Sequence, residues 1–232
     1  NFSGKPVSTS PTMKTSAVGT DGLTYYAKFK VQSYKITINP DNATTGSTIS
    51  GWYSEAGKAA PSQTIKTSTE ITMVYGSKVT MTAPQKTGYT FKGWSRTAGS
   101  TGTLDSTTGD STYLCGAGKA TLTAQWTVNP YSIKVHSESN KYYNVTKYAE
   151  DTVGGTVQIN TTPASTSTTL NYGTEYSITA TAKTGYQFVA WYSDAALTKQ
   201  VSTSATYSTT LGAANIEYYA KFNVRTYTIT ID

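Results

Sequence analysis

Apolar and polar residues alternate along much of this chain. Tyr34, Ile36 and Ile38 interleave with Lys35, Thr37 and Asn39, and Tyr131, Ile133 and Val135 interleave with Ser132, Lys134 and His136. That two-residue period is the mark of a strand with one buried face. Val79, Met81 and Ala83 alternate with Thr80 and Thr82 in the same way. In Tyr218-Tyr219-Ala220-Lys221-Phe222 the pattern turns Tyr218, Ala220 and Phe222 inward and Tyr219 and Lys221 outward. Tyr26 and Lys28 take the outward places in the matching Tyr25-Tyr26-Ala27-Lys28-Phe29. No long segment carries apolar residues at helical spacing, and β-branched Thr with frequent Gly disfavours long helices. The fold class is therefore mainly β. Two irregular stretches, 42–69 and 137–169, hold whatever loop or short helical turn the chain contains.

In Gly88-Tyr89-Thr90-Phe91-Lys92-Gly93-Trp94, Tyr89 and Phe91 share a face and Trp94 falls on the opposite parity. Either a bulge at Gly93 brings the indole inward or Trp94 packs on the other side.

Internal self-similarity organises the chain. Lys86-Thr87-Gly88-Tyr89-Thr90-Phe91-Lys92-Gly93-Trp94 returns as Lys183-Thr184-Gly185-Tyr186-Gln187-Phe188-Val189-Ala190-Trp191, and Tyr75-Gly76 returns as Tyr172-Gly173 in the same register. A third marker occurs three times, ending in Phe29, Trp126 and Phe222. Each is followed five residues later by a tyrosine opening an alternating strand, Tyr34, Tyr131 or Tyr227. The expected organisation is one repeat unit over 34–130 and another over 131–226. Residues 1–33 read as the C-terminal part of an upstream repeat, and 227–232 as the first strand of a further one.

The connectors Lys30-Val31-Gln32-Ser33, Thr127-Val128-Asn129-Pro130 and Asn223-Val224-Arg225-Thr226 share one length and a central Val, unlike Gly/Ser linkers. Strand should pass almost directly into strand, which predicts small modules held at similar angles in an extended, rod-like array.

Composition narrows the function. Charged residues are only 14% of the 232, and Thr and Ser supply the solubility. The 19 basic residues exceed the 13 acidic by a net +6, but they are scattered, so no basic stripe exists to follow a phosphate backbone, and nucleic acid is not an expected partner. No apolar run reaches the length of a membrane span, so no transmembrane segment is expected within these residues.

Gly88-Tyr89-x-Phe91-x-Gly93-Trp94, followed by Leu122-Thr123-Ala124-Gln125-Trp126, resembles the Listeria-Bacteroides repeat, also called the internalin B-repeat. The second unit is similar to its divergent form, through Gly154-Gly155-Thr156-Val157, Tyr172-Gly173, Gly185-Tyr186-x-Phe188-x-x-Trp191 and the closing Phe222. The resemblance spans nearly the whole chain. It implies a small β-grasp-like module strung in tandem on secreted or surface-anchored bacterial proteins, commonly adhesins. It brings no catalytic residues to carry over.

The residues themselves offer little chemistry. A nucleophile with a base needs Cys or Ser beside His, and the chain has one His136 and one Cys115, whose place in the second unit is held by Gly212. Cys115 reads as a small half-buried thiol, and His136 as a solvated residue on a strand's polar face. Asp105 and Asp110 flank a Ser-Thr-Thr-Gly loop that reads as a turn, without the further carboxylates of a calcium loop. The expectation is no catalytic residue, no metal site and no cofactor. The Asn-x-Thr sequons at Asn42, Asn144 and Asn160 matter only in a glycosylating host.

What remains is an aromatic surface. Outward Tyr26, Tyr219, Trp52 and Tyr53 are the candidate ligand contacts, able to stack on a glycan or mucin sugar or to fill a pocket on a host surface protein. The competing use of these rings is packing against neighbouring repeats in the same chain.

Overall fold

The computed structural model describes residues 26–97, 99–137, 139–140, 143–144, 147–148 and 152–231, of which 139–153 are described by backbone alone. Every regular element among them is a strand, so the protein is all-β. The irregular stretch 42–69 holds short strands, Ser47–Ser50, Tyr53–Glu55, Lys58–Ala59 and Gln63–Ile65, where a helical turn was an open expectation.

Alternating residues fold as the pattern requires. In the strand Ser33–Asn39, Ile36 and Ile38 are wholly buried, and its central neighbour Ala120–Val128 runs parallel to it with Leu122 and Ala124 on the same inner face. Thr69–Val74 pairs antiparallel on one side and Tyr89–Arg96 on the other, giving four strands with a parallel pair at the centre. A second, antiparallel sheet of Gln63–Ile65, Ser47–Ser50, Lys78–Met81, Ser111–Leu114 and Thr103–Asp105 contributes Ile49, Ile65, Val79, Met81 and Tyr113 to one shared core. Each such side chain contributes on the order of 1.5–3 kcal/mol by leaving water.

The later part of the chain repeats this plan. The order Ser167–Asn171, Pro130–Ser137, Ile216–Val224, Tyr186–Tyr192 again places a parallel pair at the centre, and Gln200–Ser202 extends the edge. A three-stranded sheet, Gly155–Ile159, Glu175–Ala182 and Thr206–Thr210, covers its inner face. Ile133, Val135, Ile178, Trp191, Tyr218, Ala220 and Phe222 lie in this second core.

The parity of the Gly-Tyr-x-Phe motif is resolved by a bulge. Gln125 pairs with Gly93 and Trp126 with Phe91, so Lys92 is an extra residue. The slip turns Phe91 and Trp94 to the same side, both buried, with their rings edge to face at 5.9 Å. Val189 is skipped in the same way between Phe188 and Ala190. Gly93 sits at φ +110° with Ser106 Oγ where a Cβ would lie, and Ser106 accepts the Trp94 N–H at 2.6 Å. Ala190 occupies the second bulge without a positive φ, so the bulge does not itself require glycine.

Between the two cores only Asn129 separates the strand ending at Val128 from the strand beginning at Pro130. Residues 1–25 lie outside the described residues. Residues 26–32 and 225–231 belong to no strand, and Phe29, Tyr227, Ile229 and Ile231 are exposed.

Candidate functional site

Two places gather side chains that could do more than hold a core. The first is the joint at Asn129. Its backbone N–H donates to the Gly88 carbonyl at 2.9 Å, and its own carbonyl accepts the Tyr172 N–H at 2.9 Å. Its side-chain oxygen accepts from Thr90 Oγ1 at 2.6 Å. One residue is thus bonded to the Gly-Tyr turn of the first core and to the Tyr-Gly turn of the second. The Tyr172 ring lies directly over Gly88, where a Cβ would overlap the ring carbons. It meets Tyr89 edge to face at 5.9 Å and 75°. Glycine is required here on two counts, its φ of +77° and this close approach. Lys86 backs the turn, with Nζ 4.9 Å above the Tyr89 ring and 5.6 Å from that of Trp126 while it bonds Asp41 at 3.1 Å.

The second place is the outer face of the second core. Parallel pairing sets Lys134 beside Glu217 and His136 beside Tyr219. The imidazole and phenol rings stack at 4.7 Å and 14°. Glu217 accepts from the Tyr219 hydroxyl at 2.9 Å, lies 3.1 Å from His136 Nε2 and 3.6 Å from Lys134 Nζ. The Tyr219 hydrogen bond, with the nearby His136 and Lys134, holds the Glu217 carboxyl below its usual range, and the same carboxylate pushes the Tyr219 phenol up. Tyr192 pairs with Tyr219 on the next strand. The corresponding positions of the first core are Thr37, Asn39, Thr121, Thr123 and Ser95, so this charged aromatic patch belongs to one core alone.

The four candidate aromatics separate. Tyr26 and Tyr53 are exposed, at 74% and 45%. Tyr219 is half-buried, with one ring face against His136 and its hydroxyl engaged by Glu217. Trp52, expected outward, is 4% exposed and packs in the first core, so its indole presents no face to a ligand. The structure brings none of the four together into one cleft. His136 was expected to be simply solvated, and its stacking partner could be found only from the register of two strands eighty residues apart in sequence.

Phe91, Trp94 and Trp126 form one aromatic cluster and Phe188, Trp191 and Phe222 another, with neighbouring ring centroids 5.4–5.9 Å apart. Trp191 Nε1 donates to the Ala205 carbonyl at 3.1 Å, whereas the buried Nε1 of Trp94 and of Trp126 have no partner. Tyr186 lies in the second Gly-Tyr turn, after Gly185.

Cys115 is 1% exposed, its Sγ near the Met73 carbonyl at 3.7 Å, and burial pushes its thiol up, away from the reactive thiolate. The loop between Asp105 and Asp110 is tied by hydroxyls, Thr107 Oγ1 donating to the Asp110 carbonyl at 2.8 Å and Ser111 Oγ accepting the Thr107 N–H at 3.0 Å. Among the described residues no three His, Cys, Asp or Glu side chains cluster as metal ligands, and no helix is long and apolar enough to cross a membrane. Asn160 Nδ2 bonds Ser177 and Thr179, and the side chain of Asn144 lies outside the described residues.

A protein of Evansella cellulosilytica named "Putative Gly-rich membrane protein" is 25% identical over 224 residues, 96% of this chain and 21% of that protein. The chain thus spans about one fifth of that relative's length. No solved structure matches the chain. The model of the divergent InlB B-repeat domain matches residues 64–130 and 143–226, once on each core. The chain belongs to the divergent InlB B-repeat family.

Proposed function

We propose that the chain is a non-enzymatic segment of a bacterial cell-surface or secreted protein, in which tandem units act as a stiff spacer that extends or presents an adhesive domain. In this reading the units are 34–130 and 131–226, flanked by the end of one repeat in 1–33 and by 227–232, whose sequence matches the opening strand of another but which forms no strand over 227–231. The order of each main sheet, with a parallel central pair and antiparallel flanks, supports a β-grasp-like module, with no helix among the described residues. Family membership and the membrane-protein name of the relative support a surface location.

The observation that carries the spacer reading is Asn129. A flexible linker leaves its backbone to water, whereas this residue gives its N–H to one unit and accepts at its carbonyl from the next, while the Tyr172 ring lies on Gly88 across the junction. Two bonds and an aromatic contact oppose bending at this one-residue connection. Repeated, this joint yields a rod.

A second reading, an adhesin segment that itself binds glycan or a host protein, draws on exposed Tyr26 and Tyr53 and on the Tyr219–His136 patch. Binding of the chain to glycans, mucins and host surface proteins, with a Tyr26→Ala/Tyr219→Ala variant alongside, separates the two. The spacer reading expects silence across the panel. Saturable binding lost in the variant would replace it with the adhesin reading.

A further inference from the structure

The joint at Asn129 has counterparts on both sides, and each displays half of it. Gln32, Asn129 and Arg225 each stand three residues after the closing aromatic, Phe29, Trp126 or Phe222. The Gln32 carbonyl accepts the Tyr75 N–H at 2.9 Å, as that of Asn129 accepts Tyr172. The Arg225 N–H donates to the Gly185 carbonyl at 2.8 Å, as that of Asn129 donates to Gly88. The pinning bonds therefore recur at each connector, and what differs is the ring. Tyr172 is docked on Gly88, while Tyr75 is 55% exposed. Gly88 is buried beneath a ring, while Gly185, at φ +86°, has nothing within 4 Å of the place a Cβ would take.

Backbone alone does not demand an empty surface at Gly185, since Asn or Asp also adopt the left-handed region. The matched glycine at Gly88 shows what the space is for. Arg225 braces the second turn further, its Nε donating to the Tyr186 carbonyl at 3.0 Å. Two residues beyond Arg225 begins Tyr227-Thr228-Ile229-Thr230-Ile231, which repeats the alternation of Tyr34 and Tyr131, two residues beyond Gln32 and Asn129.

We infer that Gly185, with the Arg225-braced turn around it, is a docking slot for the Tyr-Gly turn of a further repeat unit, and that Tyr75 is the complementary ring for a Gly-Tyr turn on its other side. The specificity is steric: a tyrosine ring needs a bare backbone to lie on, and a side chain at 185 closes the slot. The connector fixes the approach, because its carbonyl takes the N–H of the incoming tyrosine. The partner is a unit of the same kind, joined in tandem through a four-residue connector.

The inference rests on the reading of the chain as a tandem spacer, and its test is separable from that reading. A chain is made in which residues 131–226 recur directly after Thr226, in place of 227–232. Residual dipolar couplings should give the appended unit the alignment of the unit before it, and its Tyr172 amide should exchange about tenfold more slowly than in a Gly185→Asn version. Asn keeps the left-handed backbone and fills the slot, so only the new joint should loosen while the one at Gly88 stays. Tyr172→Ala in the appended copy alone should loosen it equally. An appended unit that tumbles independently, or coupling unchanged by both substitutions, would overturn the inference. Saturable ligand binding in the panel above would sink the spacer reading and leave this result untouched.

Discussion

Gly88 and Gly185 form a matched pair, one covered by the Tyr172 ring and the other bare. Both are left-handed, at φ +77° and +86°, and both give their carbonyl to the connector N–H. Alanine at either site meets the same backbone strain, about 1–2 kcal/mol, partly offset by about 0.4–1 kcal/mol from a less flexible unfolded chain. Gly185→Ala should therefore cost about 1 kcal/mol. Gly88→Ala adds the overlap of its Cβ with the Tyr172 ring. The ring must leave, which forfeits the edge contact with Tyr89, about 0.5–1.5 kcal/mol, and weakens the Tyr172 N–H bond to Asn129, about another 0.5–1.5 kcal/mol. The excess over Gly185→Ala should be about 1–3 kcal/mol. Urea unfolding of the whole chain, summed over its transitions, measures it, and Tyr172→Ala completes a double-mutant cycle. With Tyr172 already gone, Gly88→Ala should fall to the cost of Gly185→Ala. Equal costs for the two glycines in the parent chain, or strict additivity with Tyr172→Ala, would refute the steric reasoning at the joint.

Three further outcomes follow from the cores. Trp191→Phe should cost about 1 kcal/mol more than Trp94→Phe, because only Trp191 loses a hydrogen bond to a carbonyl, and parallel denaturation curves compare them. Cys115 should react with a thiol reagent only at the rate of unfolding, which mass-resolved labelling across a urea series would register; fast labelling of the native chain would contradict its burial. Burial, aided by their mutual hydrogen bond at 2.9 Å, pushes the phenol of Tyr218 up, and burial does the same for Tyr176. A raised folded pKa means stability intact below the ordinary tyrosine range near 10 and lost as pH climbs beyond it. The urea midpoint should hold up to about pH 9 and fall from about pH 10 upward, and the fall should shrink in a Tyr176→Phe/Tyr218→Phe variant.

The legible part of this fold was its periodicity. Alternation at Tyr34, Ile36 and Ile38 and at Tyr218, Ala220 and Phe222 named the inner faces correctly, because a strand with one dry face leaves a period-two record. The repeated motifs exposed the duplication, and the constant connectors announced the short strand-to-strand passage at Asn129. Sequence could not decide the parity of Trp94, since a bulge is a property of two strands, and its partner Gln125 is far along the chain. Trp52 was misplaced for a related reason: its neighbourhood has no period to assign a face, and the short strands around it fold the indole into the core. The stack of His136 on Tyr219 and the bond of both to Glu217 depend on parallel register, which no local pattern records. Tyr172 was visible as half of a repeated Tyr-Gly pair, but its role appears only when two units meet.

The stiffness of the joint is most directly tested by a distance distribution between spin labels on the two cores, at Lys58→Cys and Thr203→Cys in a Cys115→Ala background. Both positions are exposed and lie away from Asn129 in sequence. A rigid joint gives one narrow distribution that broadens when Gly88→Ala displaces Tyr172. A distribution already broad in the unsubstituted chain, and unmoved by Gly88→Ala, would mean that Asn129 is an ordinary hinge and that the units are not a stiff spacer.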